Sequence, residues 1–349
     1  MKMRAAVYSG KGQIEFREVG RPAIGRDEIL LKVHGATVCG TDIKLFTSGY
    51  RNMKEGDERI LGHEISAEVW EVGEAVVGYE LGTRVIVAPN IGCGHCRYCR
   101  MGHTELCADF QAIGIHIDGG FAEYVRIPGR AVQQGLLIPF GDATPYDEAV
   151  LAEPLACCYN ACRSVRTAPG DAVLVVGAGP MGALHLQIQK LAGAGLLMVA
   201  DIAQLRLDMV SELGADVLIN SAEKDLTETV MNLTDGRGAD VIITAVPVPQ
   251  IQQQALELAA KLGRINLFGG LPKGSERVEF DTNIIHYNGI VVTGTTGAAI
   301  PDYETAMSLI AYKKVKARPI ISRRFKVEDI QEAFQYAMSG KGLKTMIEF

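Results

Sequence analysis

Short runs in which apolar and polar positions alternate recur through the first part of the chain, at residues 1–8, 14–19, 28–33, 65–72, 84–88 and 121–127. Alternation puts successive side chains on opposite faces, so each run predicts a half-buried β-strand. The Gly and Pro clusters between them predict turns. The texture changes after Pro169-Gly170-Asp171. A fully apolar stretch, 172–176, predicts a strand buried on both faces, and 180–191 carries a helical pattern. Further strands are expected at 196–200, 217–220, 239–246, 264–269 and 290–294, with helical patterns between them. Strands that alternate with helices of roughly 10–15 residues form βαβ units and a parallel sheet. The tail predicts two helices, 301–312 and 327–339, and a last strand at 345–349. The chain therefore reads as α/β: a β-rich part followed by a doubly wound parallel sheet.

At 349 residues the chain exceeds the size at which single cores split, about 250–300 residues, so two domains are expected. Hydrophobic residues at 48% and charged residues at 22% fit an ordinary globular protein, and 39 glycines fit the turn-rich α/β class. A formal charge of −6 gives no reason to expect nucleic acid or an anionic membrane as partner. The longest uncharged apolar run, 172–184, is too short to span a bilayer, which takes roughly 20 residues. Residues 1–8 lack the apolar core of a secretory signal. A reducing, cytoplasmic setting is the expectation, and it leaves the eight cysteines available for metal.

The 172–176 run leads into Gly177-Ala178-Gly179-Pro180-Met181-Gly182, a G-x-G-x-x-G turn that opens a helix. In that setting each glycine has a mechanical use. Gly177 permits the tight turn, Gly179 lets backbone approach a pyrophosphate, and Gly182 lets the helix lie close on the sheet. Free N–H groups at the helix start would hold the phosphates. Asp201 ends the next strand, 24 residues after Gly177, where a carboxylate accepts from both hydroxyls of an adenosine ribose. It also repels a 2′-phosphate, so NAD is expected over NADP. Arg206 either covers the adenine or weakens that exclusion.

Cys93-x-x-Cys96-x-x-Cys99-x7-Cys107 places four thiols within fifteen residues. One tetrahedral Zn²⁺ takes four such ligands at about 2.3 Å, and two-residue gaps let a tight loop turn successive thiolates inward. The alternative, two disulfides, belongs to secreted proteins. A closed four-cysteine site leaves the metal no open position, so this zinc is expected to brace a lobe at about 90–110 and to perform no chemistry. Further ligand types stand apart, in Cys39-Gly40-Thr41-Asp42 and Gly62-His63-Glu64.

Together with Glu153-Pro154 and the closing 340–344 segment, these motifs resemble the zinc-dependent medium-chain dehydrogenases, within them the sorbitol (polyol) and threonine dehydrogenase branch. The resemblance covers essentially the whole chain. It implies a GroES-like β-barrel catalytic domain at 1–157 with a return at 297–349, a Rossmann nucleotide domain at 158–296, and an active site in the cleft. It implies a catalytic zinc held by Cys39, His63 and Glu64, with Glu153 contacting the metal or its bound water, beside the structural zinc on the four cysteines. NAD contacts would come from Gly177, Gly179, Pro180, Met181, Gly182, Asp201, Arg206, Val246, Phe268 and Thr295. Relatives are dimers or tetramers, and 290–293 would be the edge strand for such a homo-oligomer.

The implied activity is oxidation of a secondary alcohol on a small polyol-like substrate, with hydride passing to NAD and zinc lowering the pKa of the alcohol. Thr41 would take the alcohol proton and pass it toward the cofactor ribose. Relatives often carry His three residues later, but this chain has Lys44, already protonated at neutral pH with an ordinary pKa of about 10.4. Lys44 could be depressed by burial, bypassed by a relay to solvent, or used to bind an anionic substrate; the second is preferred. Thr41, Phe46, Tyr50, Arg51 and Thr295-Thr296-Gly297 are candidate pocket positions by the same resemblance. The arginine of sorbitol-type enzymes near that turn is not evident, so polyols, cyclic polyols, sugar alcohols and hydroxy amino acids stay open. Two other readings stand beside this one: a threonine 3-dehydrogenase type activity on an amino alcohol, and a non-catalytic NAD-binding scaffold. Cys157, Cys158 and Cys162 read as apolar filler on a helix.

Overall fold

The structure, a computed structural model, describes residues 1–49 and 56–349. Its contacts divide the chain into two compact units, Met1–Ala156 with Gly297–Phe349, and Cys157–Thr296.

The first unit contains β1 (Lys2–Gly10), β2 (Gln13–Gly20), β3 (Ile29–Thr37), β4 (Arg59–Ile60), β5 (Glu64–Val72) and β6 (Arg84–Val87). It continues with β7 (Asn90–Ile91), β8 (Gln111–Ala112), β9 (Tyr124–Ile127) and β10 (Leu137–Pro139). The second unit holds β11 (Ala172–Val176), β12 (Leu196–Asp201), β13 (Val217–Asn220), β14 (Ala239–Thr244), β15 (Ala259–Leu267) and β16 (Val291–Gly294). The chain then returns to the first unit with β17 (Ile321–Lys326) and β18 (Lys344–Glu348).

The largest sheet of the first unit runs β10-β6-β5-β3-β18-β17, with β9 also on β3. β3 therefore lies between β5 and β18, and its end residue Thr37 faces Glu64 on one side and Met346 on the other. A core behind it gathers Tyr8, Phe121 and Phe334, all fully buried, with Phe121 and Phe334 meeting edge-on at 6.0 Å. Each such ring contributes about 2–3 kcal/mol by its burial, so this corner is rigid enough to hold side chains in place.

In the second unit the order is β13-β12-β11-β14-β15-β16, every pair parallel. This is the 3-2-1-4-5-6 order of a dinucleotide-binding sheet, and it reverses between β11 and β14. All five residues of β11 are buried, as expected for a strand covered on both faces. The helix Pro180–Leu191 follows it.

Several elements differ from the sequence pattern; β9 starts at Tyr124 and β14 ends at Thr244, each shorter than expected. β15 starts at Ala259, well before 264, and is kinked at Leu262, whose φ is +63°. The expected 327–339 helix splits into a 3-10 turn, Val327–Asp329, and a helix, Ile330–Ser339. β17 escaped the pattern because exposed Arg323 and Arg324 break its apolar run. No helix among the described residues is long and apolar enough to cross a membrane.

Candidate metal centres and nucleotide site

The nucleotide site is built where the second sheet reverses. A Cβ on Gly177 would lie 2.6 Å from Val246 Cγ1, and Gly177 has φ +109°, so the turn closes only with glycine there. A Cβ on Gly182 would fall 1.8 Å from the Gly177 carbonyl oxygen. That close approach seats the helix on the sheet. Gly179 has no atom within 4 Å of where its Cβ would be, and it caps the helix with Pro180 behind it. An open glycine at a helix N-terminus suits a pyrophosphate. Buried Asp201 accepts from Ala178 N at 2.8 Å and from Ala203 N at 2.9 Å, tying the turn to the end of β12. The Arg206 guanidinium stands 3.9 Å from its carboxylate. Val246, Phe268 and Thr295 follow the carboxyl ends of β14, β15 and β16, the edge at which open α/β sheets bind ligands.

In the first unit, Cys93, Cys96, Cys99 and Cys107 place their sulfurs within 4.8 Å of one another, and all are free thiols. The Cys93–Cys99 and Cys96–Cys107 pairs are 3.9 Å apart. A disulfide needs about 2.05 Å, whereas four sulfurs at 2.3 Å around a tetrahedral ion stand about 3.8 Å apart. The distances therefore fit a zinc cage. Backbone N–H groups of His95 and Cys96 pull the Cys93 thiol down to about 6, while desolvation pushes Cys99 up to about 12. Arg130 and Gln134 brace the lobe through the Gly92 carbonyl, and Arg130 also holds Asp109 at 2.8 Å.

A second cluster joins Cys39, His63 and Glu64, whose ligand atoms also lie within 4.8 Å of one another. Cys39 caps the helix Gly40–Ser48, and its N–H donates to Asp42 Oδ2 at 2.8 Å. The other oxygen of Asp42 accepts from Gly62 N at 3.3 Å and lies 3.7 Å from His63 Nδ1. Gly62 has φ +90°, and a Cβ there would strike the Phe121 ring at 2.7 Å. That turn delivers His63 to the head of β5. Sequence reading passed over Asp42, although a carboxylate three residues into a helix is a capping signal. Burial alone would lower the His63 pKa, but negative charge on Cys39 and Asp42 raises it well above the ordinary value. Buried His63 Nδ1 has no hydrogen-bond partner among the described residues.

Glu64 is fully buried and is gripped from the far end of the chain: both its oxygens accept from Lys344 Nζ, and one also from Thr37 Oγ1. Lys344 also reaches the Val38 carbonyl at 3.4 Å. Burial opposes the charge on Lys344, yet Glu64, Cys39 and Glu153 around it hold its pKa above the usual lysine value. Cys39, Asp42, Glu64 and Glu153 can each carry negative charge, four groups against Lys344 and the His63 imidazole. The donor set, the orphaned imidazole nitrogen and the anionic surplus fit a divalent cation such as zinc. Buried Glu153 begins the helix Ala152–Val165 but is not one of the three clustered ligands.

A family model described as alcohol dehydrogenase GroES-like domain matches residues 25–137, and one described as zinc-binding dehydrogenase matches 180–312. The L-threonine 3-dehydrogenase of Pyrococcus abyssi (strain GE5 / Orsay) is 34% identical over 332 residues, 94% of this chain and 92% of its own length. The chain belongs to the zinc-dependent medium-chain dehydrogenases. This dehydrogenase is also 31% identical to the sorbitol dehydrogenase of Bacillus subtilis (strain 168), covering 99% of this chain and 97% of that one. A solved chain from Sinorhizobium meliloti 1021, described as a zinc-binding dehydrogenase bound to NADP, superposes with a TM-score of 0.93 at 29% identity over the full length of both.

Other positions of the dehydrogenase singled out by sequence sit as follows. Thr41 is half-buried on the helix Gly40–Ser48, and Lys44, on the same helix, is exposed. The Phe46 ring is partly buried and packs against the core, 5.3 Å from Phe334. Tyr50 and Arg51 lie outside the described residues. Cys158 and Cys162 are buried, Cys157 half-buried.

Proposed function

We propose that this dehydrogenase oxidises a secondary alcohol of a small polyol-like substrate to a ketone, with NAD as acceptor. The observation that carries the reading is the convergence of Cys39, His63 and Glu64 in a buried anionic corner, in a chain that also builds the dinucleotide sheet. Cys39, His63 and Glu64 would hold the zinc of the reaction, and the four lobe cysteines a structural one. Zinc held there supplies Lewis acidity toward an alcohol oxygen, and NAD supplies the hydride acceptor. The protein's own groups do the positioning. Asp42 fixes Cys39 and Gly62 through their backbone N–H groups, and so fixes the angle at which His63 enters. Lys344 and Thr37 orient Glu64. Thr41 takes the substrate proton, and Lys44, exposed, stands outside the relay. Asp201 disfavours a 2′-phosphate, which makes NAD the expected cofactor although a similar chain binds NADP. β16, with Val291 half exposed, is the sheet edge through which a dimer or tetramer would form.

A second reading, oxidation of an amino alcohol such as L-threonine, is favoured by the 34% identity to a threonine 3-dehydrogenase. One panel separates these readings: polyols, inositols, sugar acids and L-threonine, each with NAD and NADP, followed by the absorbance of the reduced nicotinamide. Turnover of polyols with NAD supports the first reading, and turnover of threonine alone replaces it. Metal content near one zinc per chain, with no turnover of any alcohol, would point to a non-catalytic scaffold.

A further inference from the structure

Asn266, in β15, is fully buried, and its amide is wired in one direction only. Ser164 Oγ donates its proton to the Ala161 carbonyl at 2.8 Å, and Thr293 Oγ1 donates to the Ile265 carbonyl at 3.0 Å. A hydroxyl has one proton, so with those bonds made both oxygens are left to accept, and they stand 3.4 Å apart, where either can also donate to the other. Each accepts from Asn266 Nδ2, at 2.9 and 3.2 Å, which uses both amide protons. Asn266 Oδ1 therefore faces the other way, where it accepts the proton of Thr295 Oγ1 at 3.3 Å. Flipping the amide would turn its carbonyl toward these two hydroxyls, one of which would have to give up the backbone acceptor it now serves, so the orientation described keeps more bonds. With its proton committed inward, Thr295 Oγ1 can only accept from whatever lies beyond it.

Thr295 follows the carboxyl end of β16, three strands along from β11 and its glycine turn, or about 14 Å at ordinary strand spacing. We propose that Asn266 is a positioning residue that makes Thr295 an acceptor for the carboxamide N–H₂ of the nicotinamide, so that this end of the sheet selects the amide form of the cofactor. The inference rests on the NAD reading above. A nicotinic acid ring, with a carboxylate in that place, would set acceptor against acceptor. Thr295 could turn its proton outward only by stranding Asn266 Oδ1.

The test is calorimetric binding of NAD, nicotinic acid adenine dinucleotide and ADP-ribose to the zinc-loaded full chain. Wild type is expected to prefer NAD over the acid analogue about ten-fold. Thr295→Val and Asn266→Leu should each bring that preference close to one, the double variant no further, while Thr295→Ser retains it. ADP-ribose affinity should stay within about two-fold of wild type throughout, because a lost polarity at the nicotinamide end leaves the adenosine end alone. An unchanged preference in Thr295→Val, or an equal loss for all three ligands in both variants, overturns the proposal. Failure of wild type to bind ADP-ribose or NAD at all overturns the cofactor reading itself and this inference with it.

Discussion

His185 lies within the helix Pro180–Leu191 with no exposed surface, its ring edge-on to Phe268 at 4.5 Å. Neither ring nitrogen has a hydrogen-bond partner among the described residues, and burial lowers its pKa to about 3. In the unfolded chain a histidine titrates at about 6.5. The fold thus favours the neutral form. Its contribution is complete above the unfolded value and is lost as pH falls toward the folded one. Between pH 7.5 and 5.5 the unfolded chain gains nearly one proton at this residue and the native state gains almost none. Native stability should fall over that interval by about 1.4 kcal/mol through His185 alone, and by about 2.7 kcal/mol if the interval is extended to pH 4.5. His185→Leu keeps much of the volume and removes both stranded nitrogens. Urea unfolding of both proteins at each pH isolates the effect, because every other titrating group is common to the pair. The stability difference in favour of the variant should widen by about 1.4 kcal/mol on going to pH 5.5. At pH 7.5 the variant should already match or exceed wild type, since each unpaired buried polar group costs about 1–3 kcal/mol. Parallel pH curves for the two proteins would refute the reasoning, showing that the imidazole finds a partner or water.

The other predictions concern charge and metal. Lys344→Met leaves the Glu64 carboxylate buried without its cation and should destabilise the zinc-free chain by about 3–5 kcal/mol, with Glu64→Gln in the same chain restoring most of it; additive losses in urea unfolding would contradict the pairing. Cys107→Ser should lower the zinc content by about one per chain and reduce the thermal midpoint, and an unchanged metal count would mean that the four sulfurs share no ion. Asp201→Ala should shift the ratio of kcat/KM for NAD over that for NADP downward by about ten-fold or more, and a wild type that uses both equally would undo the role given to this carboxylate. Lys44→His should leave the pH–rate profile unchanged, because the residue it replaces is exposed and outside the relay; a new inflection would place position 44 on the proton path.

Legibility followed the range of the interactions. The β11 strand, the glycine turn and the helix Pro180–Leu191 have the bounds their sequence predicts, because the signals are local: an apolar run, a turn residue, a helical period. The gathering of the four cysteines was legible for the same reason, since their thiols lie within one loop. The meeting of Cys39, His63 and Glu64 required the family resemblance, because 23 residues and a glycine turn separate the first from the other two. Asn266 and His185 were invisible. A single polar residue inside an apolar stretch looks like noise until the strands and helix around it show which groups it can reach.

Lys344 shows most clearly what only the fold supplies. It stands 280 residues from Glu64, and although the 340–344 segment carries part of the family resemblance, nothing local shows which group its lysine meets. The pairing decides its role. β18 lies antiparallel to β3 with Met346 opposite Thr37, and Val38 N donates to the Thr345 carbonyl at 2.9 Å, so position 344 is carried past the end of β3. β5 flanks β3 on the other side with Glu64 opposite the same Thr37. The two charges therefore meet around one threonine, in a corner from which solvent is excluded. A buried ion pair adds little net stability, since desolvation offsets most of its attraction. Its value here is directional. It holds the Glu64 carboxylate beside Cys39 and His63, with a cation already at its back, where a metal ion at the three-residue cluster would meet it. The return of the chain to its first unit after residue 296 is thus part of the site's construction, because without β18 the glutamate that completes the cluster would have no counter-charge.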